Sequence, residues 1–225
     1  MQILPFGIAG VIFSAACISG EEKDMRTGKK RNLLALTFSV LLCGGAGIAL
    51  HKLRGLNEIG ERWYNANVLF YSHVYDAASK GYECLYSCLN YHPEFLMNYA
   101  GLLYSEGKPL EACKILERAK QISCNSEVWN VQGCYYQSAG YYRSAEYCFE
   151  QSLQLVPERL YPYYLLAKLY AEPKFLNQEK AKQMATIVIT KSPKVYSKAV
   201  DEMRQEMVLL LSCYKLIINF KMKRL

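Results

Sequence analysis

Histidine is scarce, with only His51, His73 and His92 in 225 residues, and none of the nine cysteines forms a CxxC pair. The ligand spacings that build structural zinc sites are therefore missing. No glycine-rich phosphate loop, nucleophile elbow or HExxH pattern occurs, which removes the nucleotide-binding, hydrolase and metalloprotease chemistries those motifs carry. Asp76 and Asp201 make no motif with a histidine, and helix-borne carboxylates such as Glu117 and Glu150 read as solvated positions. No catalytic, cofactor-binding or metal-ligating residue is expected. Fourteen glycines and seven prolines are too few for a collagenous or low-complexity chain, and 52% hydrophobic residues exclude general disorder.

The net charge of +7 raises the question of nucleic acid. Residues 1–54 hold +4 of it, and the remaining +3 is spread among interspersed acids and bases along residues 55–225. That pattern describes solvated helix faces, so no nucleic-acid partner is expected.

What is abundant is apolar sequence at one end. Residues 1–20 carry no charge, and neither do residues 32–50, which include the small-residue run Gly44-Gly45-Ala46-Gly47. Each run suffices to cross about 30 Å of hydrocarbon. We expect membrane helices over about 3–20 and 32–50, joined by a loop at 21–31, so that residues 1–56 form a transmembrane hairpin in contact with the lipid bilayer. The loop has Lys23, Arg26, Lys29, Lys30 and Arg31, against Lys52, Arg54 and Arg62 after the second run. The positive-inside rule then places everything beyond the hairpin outside the cytoplasm. Seven cysteines beyond the hairpin sit uneasily with an oxidising compartment. Among them Cys84 and Cys88, four apart on one helix face, read as small buried apolar side chains.

The soluble part repeats. Residues 126–159 match the 34-residue tetratricopeptide pattern through Trp129, Gly133, Tyr136, Gly140, Tyr142, Ala145, Phe149 and Pro157, with Ser152 where the pattern prefers alanine. Upstream, residues 93–125 give Leu96, Ala100, Gly107, Ala112, Leu116 and Ala119. Downstream, residues 160–193 give Tyr163, Leu166, Ala167, Tyr170, Ala181, Ala185, Val188 and Pro193 once two extra residues are placed in the turn near Glu172-Pro173-Lys174. The expected fold is all-α: the transmembrane hairpin, a degenerate first helix pair at 57–92, three tetratricopeptide repeats at 93–196 and a capping helix at 197–225. Val200, Met203, Met207, Leu210, Leu211, Tyr214 and Ile218 form the apolar face of that cap.

Such arrays present a groove lined by the first helix of each pair, where a protein or peptide partner lies. Register places Glu94, Met97, Asn98, Tyr104, Asn130, Gln137, Tyr161, Tyr164 and Lys168 in it, and the tyrosines either contact a partner or pad gaps between helices.

The string RLYPYYLLAKLYAEP at 159–173, KSPKV at 191–195, Glu202-Met203-Arg204 and Glu61-Arg62-Trp63 resemble the C-terminal repeat region of bacterial O-antigen ligase/polymerase-type membrane proteins, over residues 2–210. The resemblance implies membership of a lipopolysaccharide-assembling system at the bacterial inner membrane, with a periplasmic repeat domain. In that family the glycan transfer uses upstream membrane helices and a large periplasmic loop, so no catalytic residue carries over to this chain. The expected function is a membrane-anchored protein-interaction module beside glycan-assembly machinery. Two alternatives stand beside it: a fragment of an active ligase or polymerase whose catalytic part lies upstream, and a cytoplasm-facing adaptor.

Overall fold

The computed structural model describes the backbone of residues 25–222 and the side chains of residues 36–214. Among the described residues every regular element is helical: α1 (Met25–Tyr71), α2 (Tyr75–Leu89), α3 (Pro93–Ser105), α4 (Pro109–Ile122), α5 (Ser126–Ser138), α6 (Tyr142–Leu155), α7 (Tyr161–Ala171), α8 (Gln178–Thr190) and α9 (Lys198–Met222). The chain divides into two units, Met1–Arg62 and Trp63–Leu225.

In the first unit the expected helix over 3–20 lies outside the described residues. The expected loop does not survive as drawn, because α1 starts at Met25 and runs unbroken through the second apolar segment. Residues 25–31 contain one glycine and no proline, and Met, Arg and Lys propagate a helix readily. Leu36, Phe38, Val40, Leu41, Leu42, Ile48, Leu53 and Leu56 are all exposed. Leu36–Tyr71 is the one helical stretch among the described residues that is long and apolar enough to cross a membrane.

The second unit is a stack of helical hairpins. Its first is the end of α1 paired with α2, followed by α3/α4, α5/α6 and α7/α8. The same two places in each hairpin hold small residues: Ala66, Ala100, Gly133 and Ala167 on the first helix, Ala78, Ala112, Ala145 and Ala181 on the second, all buried. Small side chains let the paired helices approach until larger neighbours interlock. Tyr82, Leu116 and Phe149 fill the next position, fully enclosed. A Cβ on Gly133 would stand 2.3 Å from the Phe149 ring, so only glycine fits there.

Local chemistry sets the boundaries. Pro93 and Pro109 open α3 and α4, where a missing N–H costs nothing. Asn125 and Asn177 cap α5 and α8 by accepting from the Glu127 and Lys180 amides at 2.9 and 3.1 Å. Gly107 and Gly140, with φ of 79° and 82°, make the left-handed turn that ends α3 and α5. The amides of Lys108 and Tyr141 then bond back to the Leu103 and Tyr136 carbonyls at 2.9 and 2.8 Å. His73 adopts the same conformation, φ 61°, at the equivalent place after α1, with Val74 bonding to Leu69 at 2.9 Å.

The longer turn between α7 and α8 is anchored by Phe175, which stacks on Tyr142 at 5.8 Å and on Tyr170 at 6.2 Å. α9 covers the end of the stack with Val200, Met207 and Tyr214 buried and Met203, Leu210 and Leu211 packed beside them; the side chain of Ile218 lies outside the described residues. Arg204 on α9 donates to the Val188 and Lys191 carbonyls at 3.3 and 2.8 Å, satisfying acceptors that the end of α8 leaves open.

Cys84 and Cys88 are exposed rather than buried. The inward face of α2 is Ala78, Tyr82, Leu85 and Leu89, and both cysteines fall on the opposite side of that stripe.

Candidate functional site

The first helices of successive hairpins, α3, α5 and α7, carry the expected groove residues. Glu94 is exposed, while Met97 and Asn98 on α3 are half-buried, and Asn98 donates to Asn67 at 3.3 Å. Asn67 also accepts from the Tyr82 hydroxyl, so the first two hairpins are tied through this amide. Tyr104, 40% exposed, stacks face to face on Tyr135 of α5 with centroids 4.2 Å apart. Gln137 donates to Glu172 at 3.2 Å and is thereby held against the following turn.

The tyrosine cluster on α7 divides in two. Tyr161 stays exposed and stacks on Tyr164 at 6.1 Å. Tyr164 itself is buried and donates to Glu206 of α9 at 2.7 Å, while Lys168 donates to the Tyr164 hydroxyl at 3.1 Å and pairs with Glu206 at 3.5 Å. Tyr164 and Lys168 therefore fasten the capping helix, and Tyr104 and Tyr161 present free ring surface. Glu206 was not legible as part of this site, because nothing in a helical register reveals which end of the array the cap reaches.

Asn130 on α5 is the remaining expected groove residue. It is 3% exposed, and its Oδ1 accepts no hydrogen bond. A buried amide oxygen without a donor is costly, and native proteins keep few of them. It lines a cavity of about 460 Å³ with Glu127, Val131, Cys134 and Tyr135 of α5, Arg159 of the turn between α6 and α7, and Tyr161 at the start of α7. Arg159 spends one of its side-chain donors on Ser126 Oγ at 3.2 Å, the only bond its guanidinium makes among the described residues. Arg159, Tyr135 and Cys134 escaped the sequence reading. Arg159 sits in a turn outside any helical register, and the other two are masked by the pattern residues Gly133 and Tyr136 beside them.

Burial pushes the Tyr135 hydroxyl up to about 12, helped by neighbouring Tyr104, and pushes the Cys134 thiol up to about 11 against the opposing pull of Lys168. Burial also raises Tyr161. These three side chains are consequently polar but uncharged at neutral pH. Cys134 is a thiol rather than a thiolate there, a poor nucleophile. Among the described residues no three His, Cys, Asp or Glu side chains are grouped to hold a metal. A neutral amide acceptor, a guanidinium and flat aromatic walls are groups that recognise a polypeptide by hydrogen bonding and contact area.

The helix pairs stack as a tetratricopeptide-like solenoid. Structures of similar architecture include MamA of Desulfovibrio magneticus RS-1, at 13% identity and a TM-score of 0.50 over 89% of this chain and 96% of that one. A thermophilic tetratricopeptide-repeat protein of Thermus thermophilus matches at 18% identity and 0.52, over 80% and 98%. PilF of Pseudomonas aeruginosa matches at 14% and 0.53, over 96% and 89%. No family model and no curated protein matches the chain, so the likeness is one of fold and nothing in it supports the O-antigen ligase/polymerase resemblance.

Proposed function

We propose that this protein is a membrane-anchored scaffold whose repeat unit binds a partner protein on the inner face formed by α3, α5 and α7. The observation that carries the reading is the cavity walled by Tyr135, Arg159 and exposed Tyr161, which Asn130 also lines with its amide oxygen buried and unpaired. Tyr104→Ala combined with Tyr161→Ala removes exposed ring surface and leaves the Tyr164–Glu206 fastening in place. The double variant should keep its helical circular dichroism and lose the partner that co-purifies with the wild type; unchanged recovery of that partner overturns the groove assignment.

The anchor is the exposed apolar part of α1, residues 36–56, about 30 Å of helix. Extraction with alkaline carbonate should leave the chain in the membrane pellet, and release into the supernatant contradicts the anchor. The sidedness expected from the basic residues places the repeat unit outside the cytoplasm. Cys124 is the suitable reporter because it is exposed. A membrane-impermeant maleimide should label it in intact cells, whereas labelling only after lysis assigns the cytoplasmic side.

A further inference from the structure

A second cavity, of about 630 Å³, adjoins the first and shares Arg159 and Tyr161 with it. Its lining is mostly apolar, with Val156, Leu160, Val200 and Met203 forming the walls beside Val195. Val195 is 73% exposed although it is a large aliphatic side chain next to an apolar recess. The charges at this rim do not cancel. Glu158 is already engaged by Lys191 at 3.6 Å. Lys194 makes no side-chain hydrogen bond or ion pair among the described residues, and the Arg159 guanidinium bonds only to the neutral Ser126 hydroxyl. Two cations that form no ion pair among the described residues thus flank an apolar pocket, one of them at the junction with the cavity that Asn130 lines.

We infer that the paired cavities form one bipartite docking site for an extended, acidic peptide segment of a partner protein, anchored by a large apolar side chain. This rests on the partner-binding reading above and specifies the partner's chemistry. The apolar anchor fills the recess between Leu160 and Met203, removing its walls and Val195 from water. Carboxylates flanking the anchor meet Arg159 and Lys194, and the guanidinium is free to bind one of them through two parallel donors. A turn of the Asn130 side chain, whose buried oxygen no group of the fold serves, brings that oxygen to one main-chain N–H of the segment. Glu127 is the only carboxylate lining the first cavity, so the acidic residues of the ligand belong over the second, where Lys194 joins Arg159.

The test is a selection of random twelve-residue peptides on the full chain in detergent micelles, repeated on an Arg159→Glu, Lys194→Glu double variant. Both substitutions are at exposed positions, and an unchanged helical spectrum is the control for folding. The peptides enriched on the wild type should carry an aromatic or branched aliphatic residue between acidic ones. Their affinity should fall at least tenfold on the double variant and likewise when the anchor is changed to alanine. Arg159→Gln, which removes one charge only, gives a smaller loss and serves if the double variant misfolds. Enriched peptides that lack an acidic bias, or that bind both proteins equally, overturn this inference; if those same peptides lose affinity on Tyr104→Ala, the groove reading stands without it. A selection that enriches no peptide overturns both.

Discussion

Replacing Asn130 by leucine should stabilise the repeat unit and abolish its binding. Asn130 is 3% exposed with an orphan Oδ1, and leaving such an acceptor unsatisfied costs about 1–3 kcal/mol. Leucine has the same branched heavy-atom shape, favours the helix more than asparagine, and can direct the extra bulk of its methyl groups into the adjoining cavity. For a folding unit of this size, 1–3 kcal/mol corresponds to a rise in melting midpoint of roughly 2–12 °C. The assay is thermal melting of wild type and variant followed by circular dichroism at 222 nm, with peptide or partner binding measured on the same samples. A variant less stable by 1 kcal/mol or more would show that the native oxygen is satisfied, and would remove the argument that the amide is reserved for a ligand.

Other substitutions test the packing and the charges. Gly133→Ala gains helix propensity but sets a methyl 2.3 Å from a ring atom of fully buried Phe149, so it should lower stability by about 1–3 kcal/mol in a urea titration. Ser152→Ala should do the reverse, by about 1 kcal/mol, because its hydroxyl is buried without a partner where the repeat favours alanine. Maleimide at pH 7 should modify exposed Cys84, Cys88 and Cys124 quickly and spare Cys113 and Cys148, whose thiols burial pushes up to about 12 and 11, as read by mass spectrometry of the digested protein. Burial alone would raise the Glu146 carboxyl, but donation from Lys180 at 2.8 Å and from Tyr170 at 2.6 Å outweighs it and holds the group below its ordinary 4.5. Its contribution is therefore complete above 4.5 and is lost as pH falls through the lower folded value, so Glu146→Gln should flatten the acid limb of the stability profile.

The repeat was legible because its signal is steric. Ala145, Gly133 and Phe149 are fixed by how closely two helices can approach, and that constraint recurs in sequence wherever it recurs in space. The start of α1 departs from the expected loop because its lysines and arginines are good helix formers and nothing in 25–31 stops propagation. Cys84 and Cys88 face outward rather than inward since i, i+4 spacing says that two residues share a face without saying which face is inward; Tyr82 and Leu85 decide that. The inner-face residues could be listed from register, yet register does not separate Tyr164, which fastens α9, from Tyr161, which remains free. That distinction depends on Glu206, forty-two positions away in sequence. Arg159 and Lys194 come from turns, where no periodicity operates.

The central claim, that a protein partner occupies the inner face of the repeat unit, is tested most directly by photo-crosslinking in the native cell. A photoreactive phenylalanine is placed singly at Tyr104, Tyr161 and Val195, and for comparison at Tyr147 on α6 and Cys84 on α2, all exposed. The account predicts one common adduct from positions 104, 161 and 195 and none from 147 or 84. Equal adducts from the two sets, or adducts from α2 and α6 alone, would contradict it.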